Sequence, residues 1–292
     1  MLFTKVKAYY DAVGVARKHF VNWPELVVNA LLKRSGVFRS RGGGDVSIDA
    51  KMLLRKFTRI EHEWRLWGDV FPHVRFENNS IVIPNYFGRD FRVPLNVESV
   101  TPPSFYLKLH YPFEVMDEIV LDIGAYLGDT VLMWLYKGAR TVIAVEPLPL
   151  HYQYLERNVD GLPVICLKAS LAVQLPYIPT LEGRLSYGLS YFPKVKANKL
   201  NQLNSPIVQL ISLVHEYHPT FVKIDCEGCE YYILEQLWQL PSFGVKKIAV
   251  EFHEWGDHKL DNVLNSLREK LGGDFKMWRV ATGAHVVYWY KQ

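Results

Sequence analysis

The stretch IVLDIGAYLGDT, residues 119–130, decides the fold. It begins as a run that is apolar apart from Asp122, turns at Gly124, and reaches Gly128 at the head of a helical pattern over residues 129–137. Gly124 permits a tight turn and a close approach of backbone to a ligand, and the amides at a helix start attract an anionic group. The spacing is not the G-x-G-x-x-G of dinucleotide-binding sheets, because Tyr126 holds the second glycine position. A pyrophosphate would be obstructed there, whereas a smaller amino-acid head group would not.

Strand and helix patterns alternate from this point on. Strands are expected at residues 141–145, 163–167, 221–224 and 247–252, and helices at 148–158, 229–240 and 259–271. Two last strands, 274–279 and 284–290, flank Thr282 and Gly283 and predict one antiparallel strand at the edge. Strands this apolar are buried on both faces, so the pattern predicts a mostly parallel α/β sheet covered by helices on both sides. Upstream, residues 4–34 read as helical with a start at Trp23-Pro24-Glu25, and 39–44 (RSRGGG) as a flexible linker. Residues 49–67 read as a further helix, and 73–76 with 80–83 as a hairpin. The chain thus divides into an N-terminal extension, 1–112, and an α/β domain, 113–292, which carries the glycine turn.

With 49% hydrophobic and 22% charged residues, the 292-residue chain can build a large core, which excludes general disorder. Residues 1–60 carry twelve Lys or Arg against four Asp or Glu, a net of +8, leaving −4 for the remainder. A basic segment of this kind can approach nucleic acid or a membrane surface, although a solvated helical face is the simpler account. No apolar run of transmembrane length and no signal-type apolar core is visible. The three cysteines, Cys166, Cys226 and Cys229, are too few for a disulfide framework and fit a reducing cytoplasm.

The chemistry-bearing residues gather at strand ends. Glu146 closes the second strand, 24 residues after Asp122, where an acid suits ribose hydroxyls. Asp225, Glu227 and Glu230 follow the fourth strand beside the point where open α/β sheets bind ligands, and Glu230 is expected in a first helical turn. His253 follows the fifth strand and could take a proton from an acceptor hydroxyl. His215 and His218 precede the fourth strand and read as surface. Cys226 and Cys229 form C-x-x-C, a redox or half-zinc spacing; with no second ligand pair the zinc reading fails, and the thiols are expected to be dispensable. Tyr86, Phe87, Phe105, Tyr106, Tyr111 and Phe113 could wall an acceptor pocket, or simply pack the N-terminal segment.

D-x-G-A-x-x-G-D at 122–129, V-E-P at 145–147 and K-x-D-x-E-G-x-E at 223–230, in that order, resemble the FkbM-type family of class I methyltransferases. The resemblance covers about residues 113–255. It implies a seven-stranded Rossmann-like sheet, S-adenosylmethionine as donor, and an oxygen acceptor on a sugar or other small metabolite. Asp122, Gly124, Ala125, Gly128, Asp129 and Glu146 would then bind the cofactor, with Tyr126, Thr130 and Pro147 completing the two loops. Asp225, Glu227 and His253 would be the candidate bases, and the two carboxylates would also suit a hard divalent cation. The family pattern often has Asn where this chain has Tyr126, and leaves the positions of Cys226 and Cys229 small and variable. Two rival readings are a nicotinamide-dependent oxidoreductase, which the glycine spacing disfavours, and an RNA-binding module that uses the basic N-terminus.

Overall fold

The apolar runs at 120–123, 142–145 and 221–224 bury every side chain, and hydrogen-bonded pairing brings them side by side. In the computed structural model the described residues are 2–95, 100–111, 114–171, 177–178, 195–196, 205–226, 229–230, 233–252, 260–271, 275–281 and 285–291. The chain separates into two compact units, one built on Met1–Phe105 and one containing Tyr106–Gly183 and Gly188–Gln292.

In the first unit, helices α1 (Leu2–His19) and α2 (Trp23–Leu31) are followed by strands β1 (Ser35–Arg39) and β2 (Asp45–Asp49) and helix α3 (Ala50–Leu66). The helical stretch expected at 4–34 is interrupted at residues 20–22, and its second helix begins at Trp23, the start that the sequence marks. The glycine-rich segment after Arg39 is no linker. It is the turn of an antiparallel hairpin, in which Ser40 N–H donates to Gly44 O. A Cβ at Gly42 would meet Val74 O at 2.2 Å and one at Gly44 would meet Phe76 O at 2.0 Å, so these glycines permit backbone contact rather than flexibility. Asp49 caps α3 by accepting from Met52 N–H, and Leu53, Phe57, Ile60 and Trp64 bury one helical face. Three antiparallel strands, β3 (Arg75–Glu77), β4 (Ser80–Tyr86) and β5 (Arg89–Pro94), complete this unit; the hairpin reading missed the third.

A part-buried ionisable cluster lies in the same unit. His19, with no exposed surface, has Nε2 2.7 Å from Glu61 Oε2, and Lys18 donates to the other carboxylate oxygen. Burial lowers the His19 pKa despite the carboxylate. Burial also opposes the ionised Glu61, but hydrogen bonds from His19 and Lys18 outweigh it and leave its pKa below the ordinary value. A histidine held below about 6.5 takes up a proton on unfolding, so stability is lost as pH falls through that value. Glu61 acts in the same sense further down, because its contribution is present above the unfolded carboxylate pKa and lost below it. The urea midpoint should therefore fall between pH 7.5 and pH 5.5. His19→Gln should flatten that step, and an equally steep step in the variant would refute the assignment.

In the second unit, helix α4 (Pro103–Phe105), which ends the first, is succeeded in the chain by a π-helical turn, Tyr106–His110. Then come β6 (Ile119–Ile123), α5 (Asp129–Tyr136), β7 (Thr141–Val145), α6 (Pro149–Val159), β8 (Val164–Leu167) and β9 (Ser170–Leu171). Short pairs follow, β10 (Tyr177–Ile178) with β11 (Val195–Lys196), and β12 (Ile207–Val208) with β9. The remainder is α7 (Leu210–Tyr217), β13 (Phe221–Ile224), α8 (Leu234–Leu237), β14 (Lys247–Phe252), α9 (Leu260–Leu271), β15 (Phe275–Ala281) and β16 (His285–Lys291).

Seven strands form one sheet in the order β15-β16-β14-β13-β6-β7-β8. β8, β7, β6, β13 and β14 pair in parallel; β16 runs against both neighbours, so β15 points the same way as the other five. The antiparallel strand therefore lies inside the sheet rather than at its edge. This is a Rossmann-like α/β sheet, and the direction of chain travel reverses between β6 and β13. Such a switch point opens a crevice at the carboxyl ends of the strands. The helix expected from residue 229 is much shorter. Cys229, bonded back to Cys226, stays in the turn, and α8 begins only at Leu234.

Candidate active site

Parallel pairing in register puts the ends of β6, β7 and β13 on one edge: Ile123 lies beside Val145 and beside Ile224. Gly124, Glu146 and Asp225 are the next residue on each strand. Gly124 has φ +77°, and a Cβ there would lie 1.7 Å from Asp225 O, so the cofactor-loop turn presses directly on the β13 turn. The amides of Gly124 and Ala125 donate to Val145 O. Tyr126 also has a left-handed φ, +50°, and Gly128, at φ +93°, stands at the head of α5.

Asp122 has no exposed surface. One carboxylate oxygen accepts from Thr130 Oγ1 at 2.6 Å and Trp134 Nε1 at 3.0 Å, and the other lies 2.9 Å from Lys223 Nζ. It therefore sits beneath the loop and holds it. Thr130 shares that role, and Asp129, buried, accepts from the Tyr106 hydroxyl at 2.6 Å. Glu146, also buried, accepts from Tyr126 N–H at 3.0 Å and Leu148 N–H at 2.9 Å, joining the two loops through one carboxylate. Pro147 O accepts from Ser205 Oγ.

Three residues that the sequence reading did not assign to the cofactor loops belong here. Lys223 is completely buried. Its ammonium donates to Gly124 O at 2.9 Å and Ile123 O at 3.3 Å, pairs with Asp122, and lies 3.7 Å from Asp225 Oδ2. Burial alone would lower its pKa, but the carboxylates of Asp122 and Asp225 reverse that and hold it above the ordinary lysine value. The signal in the sequence is a basic residue inside an apolar strand. His151, on the first turn of α6, packs edge-on against Tyr126 at 4.4 Å and has Nδ1 3.5 Å from Glu146 Oε1. Its Nε2 is buried with no hydrogen-bond partner among the described residues. Tyr106 is the third.

Asp225 keeps 27% of its side chain exposed in an otherwise buried neighbourhood. Glu230 is fully buried and accepts from Cys226 N–H at 3.0 Å, so it caps the β13 turn rather than opening a helix. Cys226 and Cys229 are joined by a disulfide, against the expectation from the cysteine count; Cys166 is free. Glu227 and His253 lie outside the described residues, as does Phe113. Among the described residues, no three His, Cys, Asp or Glu converge as metal ligands. His215 and His218 are exposed, as expected. The aromatic group divides. Tyr86 and Phe87 pack in the first unit with Phe91, and Phe105 packs there with Trp67. Tyr106 and Tyr111 stack in the second, where Tyr111 meets Trp134.

The methyltransferase FkbM domain matches residues 122–273, from the first acid of the cofactor loop to beyond α9. The chain belongs to the FkbM methyltransferase domain family. Among solved structures, it is similar to the ribosomal protein L11 methylase of Lactobacillus delbrueckii subsp. bulgaricus, at 11% identity over 65% of this chain and 77% of that one, TM-score 0.37. It is also similar to M. jannaschii TYW2 in complex with AdoMet, at 17% identity over 77% and 87%, TM-score 0.38. No curated protein matches the chain. Among the described residues, no helix is long and apolar enough to cross a membrane.

Proposed function

We propose that this FkbM-family methyltransferase moves a methyl group from S-adenosylmethionine to an oxygen, on a sugar or another small-metabolite hydroxyl. The observation that carries the reading is the alignment of the Gly124 turn, Glu146 and Asp225 at three adjacent strand ends. The donor's sulfonium makes its methyl carbon electrophilic, so the protein's task is to align donor and acceptor and exclude water. The chain's groups fit such a molecule. The glycine turn delivers the chain to the head of α5 at the crevice, and the first turn of that helix favours the carboxylate of an amino-acid head group. Glu146 has lone pairs beyond its two loop amides for ribose hydroxyls, and His151 Nε2 lacks a partner beside it. Ala125, Tyr126, Gly128 and Pro147 would line the same two loops, with Asp122, Asp129 and Thr130 supporting them from below.

At the acceptor side, Asp225 would take up the hydroxyl proton, with Lys223 supplying its counter-charge. Glu227 and His253 remain the alternative bases, and a cation held by Asp225 and Glu227 the alternative device. A cytoplasmic location belongs to the same reading and rests on the small number of cysteines.

Calorimetric titration with S-adenosylhomocysteine should show binding, and NADH should show none; the reverse would refute the cofactor. Glu146→Gln should weaken that binding by about 1.5–3 kcal/mol, the range for hydrogen bonds to charged groups. An unchanged dissociation constant would move ribose recognition to another residue. Incubation with methyl-labelled donor and separate sugar, lipid and RNA pools identifies the acceptor class, and label confined to RNA or protein would overturn the small-molecule reading.

A further inference from the structure

The Cys226–Cys229 pair lies inside the acidic motif, immediately after Asp225. We propose that it is a reversible redox site, a dithiol–disulfide couple served by low-molecular-weight disulfides of the glutathione type, and that its state sets donor affinity. The inference rests on the S-adenosylmethionine reading above.

Four observations support it. The sulfurs are bonded, with Cα atoms 5.4 Å apart, in the C-x-x-C spacing used by dithiol oxidoreductases. The ring spans only four residues, the weakest case for a structural staple, because little chain entropy is removed from the unfolded state. The two sulfurs are unequal in access: Cys226 is half-buried and Cys229 is 3% exposed. Finally, Cys226 Sγ lies 3.4 Å from Glu230 Oε1, so a thiol formed there has an acceptor waiting. Both redox states are thus provided for.

The exchange balances without a metal or a further cofactor. The Cys226 thiolate attacks the disulfide of the small molecule, and one glutathione-type thiol leaves. The Cys229 thiolate then attacks the mixed disulfide at Cys226, closes the ring and expels the second thiol. Two protein thiols lose two electrons and two protons, and the small disulfide gains them.

The link to the cofactor loop is steric. The Gly124 turn abuts Asp225 O and the Cys226 amide with no space for even a methyl group. Opening the ring unties Cys226 from Cys229 and leaves the Glu230 carboxylate as the tie on the Cys226 amide, so the glycine turn's neighbour is held less firmly. The oxidised form is therefore the tighter binder.

The test uses the full chain in two arms. In the first, glutathione buffers of graded ratio are followed by alkylation and mass measurement. Cys226 and Cys229 should titrate together as one two-electron couple. In the second, calorimetry gives the S-adenosylhomocysteine dissociation constant of the fully oxidised and fully reduced chain. The oxidised form should bind about fivefold tighter or more, the lower end of coupling between sites. By reciprocity, saturating S-adenosylhomocysteine should then lower the midpoint potential by about 20 mV, fivefold at two electrons. The Cys226→Ser/Cys229→Ser double variant should give one dissociation constant with or without reductant.

Equal constants for the two wild-type forms would overturn the coupling and leave the cofactor reading intact. So would a reductant response that survives in the double variant, since it would belong to Cys166. Sulfurs that alkylate independently at every ratio would overturn the couple itself. Absence of binding to either form, with the pair still titrating, would sink the cofactor reading and the coupling together.

Discussion

Lys223→Met is expected to cost about 3–5 kcal/mol of stability, the usual loss when one partner of a buried ion pair is removed. The magnitude follows from what is left behind. Asp122 would keep its Thr130 and Trp134 donors but lose the only cation at its second oxygen among the described residues, in a place with no exposed surface. The carbonyls of Ile123 and Gly124 would lose their donor at the same time. Methionine fills much of the same volume, so the loss is electrostatic rather than a packing defect. The urea midpoint, followed by tryptophan fluorescence, measures it. A double-mutant cycle with Asp122→Asn isolates the charge, because Asn keeps an acceptor for Thr130 and Trp134 while removing the buried anion. The double variant should recover more than half of the loss. A single-variant loss below about 1 kcal/mol would mean that water reaches the pair and screens it as at a surface.

The sheet was legible because its strands are short apolar runs separated by helical periodicity, a pattern that leaves few parallel topologies. The position of β16 was not. A hairpin's two strands look alike in sequence, and which of them inserts beside β14 is decided by long-range pairing. The same limit applies at the site. Asp122, Asp129 and Glu146 occur where a nucleoside-binding loop needs acids, and sequence cannot distinguish an acid facing a ligand from one facing inward. The structure turns Asp122 inward, onto Thr130, Trp134 and Lys223. It gives Glu146 two loop amides as partners. Gly42 and Gly44 read as linker composition because what they contact, the backbone at Val74 and Phe76, lies thirty residues away in the chain. Cys226 and Cys229 were discounted on cysteine arithmetic, which bears on frameworks of several bridges and says nothing about a single vicinal pair.

Asp225→Asn should retain S-adenosylhomocysteine affinity and lose about a hundredfold to ten-thousandfold in turnover, the contribution of a positioned general base. The side chain is the one partly exposed carboxylate among the described residues of the β6, β7 and β13 ends, which is what a group that meets an acceptor requires. Asparagine keeps its size and one acceptor oxygen and removes the charge. Lys223 keeps Asp122 as its close partner at 2.9 Å, so folding should be preserved and the effect read cleanly in turnover. His253→Ala is the internal comparison, because His253 follows the neighbouring strand β14 in the sequence. If Asp225→Asn turns over normally while His253→Ala is inactive, the proton leaves through β14, and the acids after β13 serve the turn. If both variants are active, alignment of donor and acceptor carries the reaction without a base. A chelator added to the wild-type chain distinguishes the remaining device. Activity lost on chelation and restored by a divalent ion would mean that Asp225 works through a cation, and a comparable loss in Glu227→Gln would identify the second ligand.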